Sequence, residues 1–204
     1  PELFIRLSMK NDQIFELMTY QLHKICCFLK ENEEVLAGIN NVKINISPKE
    51  LTQKGYCENL IAIIRSNGLS PERFQFEVTE TCATKYSKEL EECIQMLGKA
   101  GITLCLDDFG CGYANLERIL HLPFSVIKMD RSLLRDIGVN PRTTIFYQNM
   151  VEVLHRCGYQ IVSEGVETRQ EAEVLESCKV DMIQGYYFAK PLPEQEVLEV
   201  LRGQ

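Results

Sequence analysis

The chain has 204 residues, 45% of them apolar and 25% charged, and its 22 basic against 29 acidic residues leave a net charge of −7. That length buries a sizeable core without disulfide or metal staples, so residues 1–204 are expected to form a single domain. An acidic balance with no dense basic cluster excludes extended contact with a DNA or RNA backbone, which needs many phosphate-neutralising Lys and Arg. The longest aliphatic runs, Ile25 to Leu29 and Leu60 to Ile64, are too short to cross a bilayer, so no membrane segment is expected. No leader pattern opens the chain, and a cytoplasmic location is expected; Pro1 in place of Met reads as a piece of something longer. Nine cysteines, odd in number, scattered and without a C-x-x-C pair, suit reduced thiols rather than a disulfide framework or a zinc site. His23, His121 and His155 lie far apart, and none sits in a metal-binding motif.

In chain order, Asn11 to Lys30 carries Ile14, Leu17, Met18, Leu22, Ile25, Phe28 and Leu29 at helical spacing, which predicts an amphipathic helix. Val42 to Ile46 reads as a strand. At Ser47-Pro48-Lys49-Glu50 a capping residue, a first-turn proline and a glutamate three residues after the cap open a second helix, punctuated at its end by Gly68 and Pro71. The cycle then repeats. Strands are expected at Phe74 to Val78, Ile102 to Leu106, Val126 to Met129, Ile161 to Ser163 and Met182 to Tyr186. Helices are expected at Ser87 to Lys99, Asn115 to Leu120, from the Asn140-Pro141 cap to Gly158, from the Thr168/Glu171 capping box to Cys178, and at Pro193 to Leu201. Alternating strands and helices mean an α/β fold with a parallel sheet, doubly wound or wrapped into a barrel. A closed (βα)8 barrel needs eight units, so about six units suggest a TIM-like barrel whose first two strands are missing.

The stretch Leu104 to Gly112 is the most informative. A buried strand ends in two adjacent carboxylates, Asp107 and Asp108, and glycines follow at 110 and 112. Side-by-side carboxylates repel, which raises one pKa or calls for a cation, and oxygen ligands favour a hard divalent ion. The other reading is a solvated turn. Polar residues also stand at or just beyond every other predicted strand end: Asn45, Glu77 with Glu80, Lys128 with Asp130, Glu164 with Glu167, and Gln184. Parallel strands of a barrel direct these ends to one face, where barrel enzymes build their sites. Asn45, Glu77, Asp107, Asp108 and Glu164 form an oxygen-donor set for one or two divalent ions, suited to in-line phosphoryl displacement. Lys128 either orients an attacking water and stabilises developing charge, or forms an ion pair with a neighbouring carboxylate; Gln184 either serves the site or satisfies a backbone group.

Six stretches then resemble the EAL family of bacterial cyclic di-GMP phosphodiesterases. They are Asn45-Ile46-Ser47, Glu77-Val78-Thr79-Glu80, Asp107 to Tyr113, Ile127-Lys128-Met129-Asp130, Glu164 to Thr168, and Gln184 to Phe188 continuing through Pro191-Leu192-Pro193. They run in family order over nearly the whole chain. The resemblance implies an EAL-type TIM-like barrel that hydrolyses one phosphodiester of cyclic di-GMP to linear pGpG with Mg2+ or Mn2+. It implies Asn45, Glu77 and Asp107 as ligands of one ion and Asp107, Asp108 and Glu164 as ligands of a second. It implies Lys128, with Glu164 and Asp108, at the catalytic water, Gln184 as the active-site glutamine, and Glu80, Glu167 and Asp130 in support of substrate or loop. A homodimer, and a GGDEF or sensory domain in a longer protein, are also family expectations.

The Glu-Ala-Leu motif itself is absent, and Pro1 to Ile5 resembles the sequence just downstream of it. Cys111, Ala114 and Asn115 stand where the family usually has Thr, Ser and Ser. The alternative reading is therefore a degenerate EAL domain that binds cyclic di-GMP or a protein without catalysis. Another barrel enzyme acting on phosphate esters would suit the strand-end chemistry equally well.

Overall fold

The computed structural model describes residues 14–80, 87–112 and 116–203. The expectations placed on Pro1 to Ile5, on Asn11 to Gln13 and on Tyr113, Ala114 and Asn115 lie outside them. Helices and strands alternate: α1 (Ile14–Glu31), β1 (Val42–Ile46), α2 (Pro48–Leu51), α3 (Tyr56–Ser66), β2 (Phe74–Thr79), α4 (Lys88–Lys99), β3 (Thr103–Phe109), α5 (Leu116–His121), β4 (Val126–Met129), α6 (Pro141–Arg156), β5 (Gln160–Ser163), α7 (Arg169–Ser177), β6 (Met182–Ile183) and α8 (Glu194–Arg202). The strands form one sheet in the order β1-β2-β3-β4-β5-β6. The pairs β3/β4, β4/β5 and β5/β6 are parallel.

The chain divides into two compact units, one of residues 1–75, 87–102 and 193–204, the other of residues 76–86 and 103–192. In the first, α1 packs on α3 and both α2 and α3 on α4. Leu22, Cys26 and Leu29 of α1, Tyr56, Leu60 and Ile64 of α3, and Leu90, Ile94 and Leu97 of α4 are buried there. The single helix expected after Ser47 is two pieces, because Gly55 takes φ 79, a left-handed conformation open to glycine, and resets the chain before α3. The Glu50 carboxylate accepts the Ser47 N–H at 2.8 Å, as the predicted capping box requires. The packing of α3 on α4 brings Cys57 and Cys93 together, with Cα atoms 5.9 Å apart.

Glu50 is buried and also accepts the Tyr56 hydroxyl at 3.0 Å. Burial raises its pKa above the ordinary carboxylate value, against the lowering effect of the Ser47 N–H and the Tyr56 O–H. A carboxyl with a raised folded-state pKa contributes stability below its unfolded pKa and loses it as pH rises through the folded one. Glu50→Gln removes the charge, keeps the Ser47 N–H bond on its amide oxygen and turns the Tyr56 bond round, its amide N–H donating to the hydroxyl oxygen, so its Tm at pH 7 is expected to exceed that of the parent. The gain should shrink as pH falls below the ordinary glutamate range; an equal gain at pH 4 and pH 7 in thermal scans contradicts the assignment.

In the second unit the parallel strands carry the core, with Leu104, Leu106, Ile127, Met129 and Ile161 all buried. Tyr147 of α6 donates to Ser163 Oγ at 2.9 Å beneath β5. The Asn140 cap and the Thr168/Glu171 capping box form as read from the sequence. β2 and β5 are each one residue longer than expected, and two strands differ in length by more. β3 runs on through Asp107, Asp108 and Phe109, and β6 stops at Ile183 because the Gln184 carbonyl turns to accept the Val166 N–H at 3.2 Å.

Candidate functional site

The site is built on strands of the second unit. Side chains alternate along a strand, so residues two apart share a face. Asp107, Lys128 and Glu164 each stand two residues beyond Cys105, Val126 and Val162, which form a buried apolar cluster. That cluster is the dry floor of the site. Lys128 is only 3% exposed, and its ammonium lies 2.9 Å from Glu77 Oε2, 2.8 Å from Asp107 Oδ1 and 2.6 Å from Glu164 Oε1. Burial alone would lower a lysine pKa; hydrogen bonds to Asp107, Glu164 and Glu77 outweigh it, and the net shift is upward. Lys128 is therefore a permanent cation. One ammonium faces three carboxylates, and Glu77 Oε1 is buried without a hydrogen-bond partner.

Asp107 and Asp108 reach one point through a bulge. Leu106 pairs with Ile127 and Phe109 with Met129, so three steps of β3 oppose two of β4. Asp108, at φ 57, occupies the left-handed region. In a regular strand neighbouring side chains point to opposite faces; the extra residue and the reversed φ re-aim one of them. One oxygen from each of Asp107, Asp108 and Glu164 lies within 4.8 Å of the others. Burial raises the Asp108 pKa, reinforced by Asp107 and Asp130 and opposed by Lys128. Burial also raises that of Glu164, opposed by Lys128. Converging hard oxygens, excess negative charge and an orphaned buried carboxylate oxygen fit a divalent cation.

The remaining sequence-derived residues fall around this centre or apart from it. Glu80 accepts the Gly110 N–H at 2.7 Å, and a Cβ on Gly112 would meet its other oxygen at 2.9 Å, so it braces the turn after β3. Glu167 pairs with Arg131 at 2.9 Å. Asp130 caps the short 3-10 turn Arg131–Leu134 by accepting the Ser132 N–H at 2.8 Å. Gln184 donates its N–H to the Ser163 carbonyl at 2.8 Å. Asn45 is exposed on β1, in the first unit. A cavity of about 320 Å3 opens beside Glu164, lined also by Asp130, Arg131, Gln184 and Tyr186. The sequence reading assigns no role to Arg131, Gly165 or Gly185, although both glycines lie in family-like stretches directly after strand-end polar residues.

The model of the EAL domain matches residues 1–191. The chain belongs to the EAL family. It is 33% identical over 163 residues to the cyclic di-GMP phosphodiesterase RocR of Pseudomonas aeruginosa, covering 80% of this chain and 42% of that protein. It is 29% identical over 205 residues to the cyclic di-GMP phosphodiesterase NbdA of the same organism, covering 100% of this chain and 26% of that protein. The crystal structure of the EAL domain of Mycobacterium smegmatis DcpA superposes with a TM-score of 0.83 at 27% identity, covering 93% of this chain and 85% of that one. The chain thus spans less than half the length of these two curated EAL relatives. The EAL-type α/β fold with about six βα units, expected from the sequence, is the fold observed.

Proposed function

We propose that this EAL chain catalyses, or forms most of the site that catalyses, metal-dependent hydrolysis of cyclic di-GMP to linear pGpG. The observation that carries the reading is the buried Lys128 ammonium bound to Glu77, Asp107 and Glu164 beside the bulged Asp108. A pure receptor has no chemical need for such a set. Glu77 and Asp107 would hold one ion, and Asp107, Asp108 and Glu164 a second. Bound Mg2+ or Mn2+ supplies the acidification of water and the neutralisation of phosphoryl charge that an in-line displacement requires.

The chain's own groups supply the rest. Lys128, an ammonium held among Glu77, Asp107 and Glu164, would orient the attacking water or stabilise charge as it builds on a phosphoryl oxygen. Glu164 and Asp108, with oxygens beside Asp107, are the carboxylates placed to take a proton from the attacking water as its oxygen bonds to phosphorus and to return one to the departing ribose 3′-oxygen. Gln184, Asp130, Glu80 and Glu167 complete the proposal as substrate and loop supports. Cytoplasmic location, a GGDEF or sensory partner domain and a homodimer belong to the same proposal. Exposed Ile145, Phe146 and Val153 on α6 support the dimer, and no helix among the described residues is long and apolar enough to cross a membrane.

The test is incubation with cyclic di-GMP and Mg2+ or Mn2+, for this chain and for the same chain preceded by a Glu-Ala-Leu-bearing family segment. Release of pGpG by chromatography is the expected result, at least from the longer form. If neither form cuts the substrate but calorimetry detects its binding, the non-catalytic reading replaces this one.

A further inference from the structure

The loop that carries Glu164 away from β5 is gripped from two sides. On one, the Gln184 N–H donates to the Ser163 carbonyl at 2.8 Å, the Val166 N–H to the Gln184 carbonyl at 3.2 Å, and the Tyr187 N–H to the Val166 carbonyl at 3.0 Å. Gly185 sits inside this ladder, and a Cβ added to it would fall on the backbone oxygen, nitrogen and carbon of Val166. Backbone cannot swing aside as a side chain can. On the other, Gly165 takes φ 70, and a Cβ there would meet the Cβ, Cγ and Cδ of Arg131 at 2.7, 2.7 and 2.9 Å. The Glu164 N–H, between the two, donates to the Met129 carbonyl at 3.2 Å.

We propose that Gly185 and Arg131 are positioning residues for Glu164, a backbone jaw and a side-chain jaw that set where its carboxylate stands beside Lys128 and Asp108. The Arg131–Glu167 ion pair is 65% and 45% exposed at its two side chains, and exposed pairs contribute little. The grip of Arg131 therefore lies in its aliphatic stem, flat on Gly165, more than in its charge. Clearing a Cβ at 185 would move the loop on the order of 1 Å, several times the ~0.2 Å tolerance of a metal–oxygen distance. The inference rests on the reading of Glu164 as a metal ligand.

The experiment measures Mn2+ affinity by electron paramagnetic resonance, with Tm recorded on each protein. Gly185→Ala is expected to bind Mn2+ about 10- to 100-fold more weakly than the parent. Gly38→Ala, at a glycine with nothing within 4 Å of the added carbon, should match the parent. Arg131→Ala should weaken binding several-fold, and Arg131→Lys, which keeps the stem, should restore most of it. If Gly185→Ala does not fold, the arginine pair carries the test. Parent-like affinity and Tm in Gly185→Ala, or Arg131→Lys as weak as Arg131→Ala, overturns the proposal. Glu164→Gln separates the two ideas: weakened binding there upholds the ligand reading, whereas unchanged binding removes that reading and the positioning role with it.

Discussion

Asp107→Ala is expected to lower turnover of cyclic di-GMP by on the order of 10³-fold or more and to weaken Mn2+ binding in parallel. Asp107 is the one carboxylate proposed for both ions, and it also accepts from Lys128 at 2.8 Å. The fold should survive, because Lys128 keeps Glu77 and Glu164 as partners and the floor of Cys105, Val126 and Val162 is untouched. Steady-state kinetics and far-ultraviolet circular dichroism separate the two effects. Wild-type rates in a folded Asp107→Ala protein would mean that the metal assignment is wrong.

The second large effect is on stability. Lys128→Met fills a similar volume but leaves Glu77, Asp107 and Glu164 facing one another with no cation. Removing one partner of a buried ionic cluster costs about 3–5 kcal/mol. At ~2–4 °C per kcal/mol for a chain of this size, Tm should fall by on the order of 10 °C. A second change, Glu77→Gln, should return part of that loss by removing one of the uncompensated charges. Added Mn2+ should raise the Tm of Lys128→Met more than that of the parent, since a divalent ion replaces the missing charge. An unchanged Tm would show that the cluster is open to water. Turnover should drop by about 10²-fold or more, because the Lys128 ammonium is the charged donor held between Asp107 and Glu164, where developing charge would be stabilised.

What could be read from the chain is whatever local chemistry decides. The bounds of β1 and β4, the Asn140-Pro141 start of α6 and the Thr168/Glu171 box on α7 all depend on residues within a few positions, and they came out as read. The strand-end carboxylates were legible too, since a polar residue after an apolar run needs no partner to be noticed. The features that escaped depend on a second stretch of chain. Asp107-Asp108-Phe109 reads as the start of a loop, and only pairing with β4 shows it to be strand with a bulge. Met182 to Tyr186 reads as one strand, and only the hydrogen bonds to Ser163 and Val166 end it early. Gly165 and Gly185 are unremarkable letters until one sees what lies against each. Lys128, left open between catalysis and an ion pair, makes the ion pair with three carboxylates at once.

The backbone at Asp108 narrows what a random library at that codon can return. A left-handed φ of 57 is tolerated by glycine, asparagine and aspartate and disfavoured for other side chains, by about 1–3 kcal/mol for a strained position. A screen for thermal stability should therefore enrich glycine and asparagine, which ease the strain or the charge crowding beside Asp107. A screen for turnover should return aspartate, because glutamate carries the charge but not the conformation. Opposite winners at one codon from the same library would be the signature of a residue retained for its chemistry at the expense of the fold.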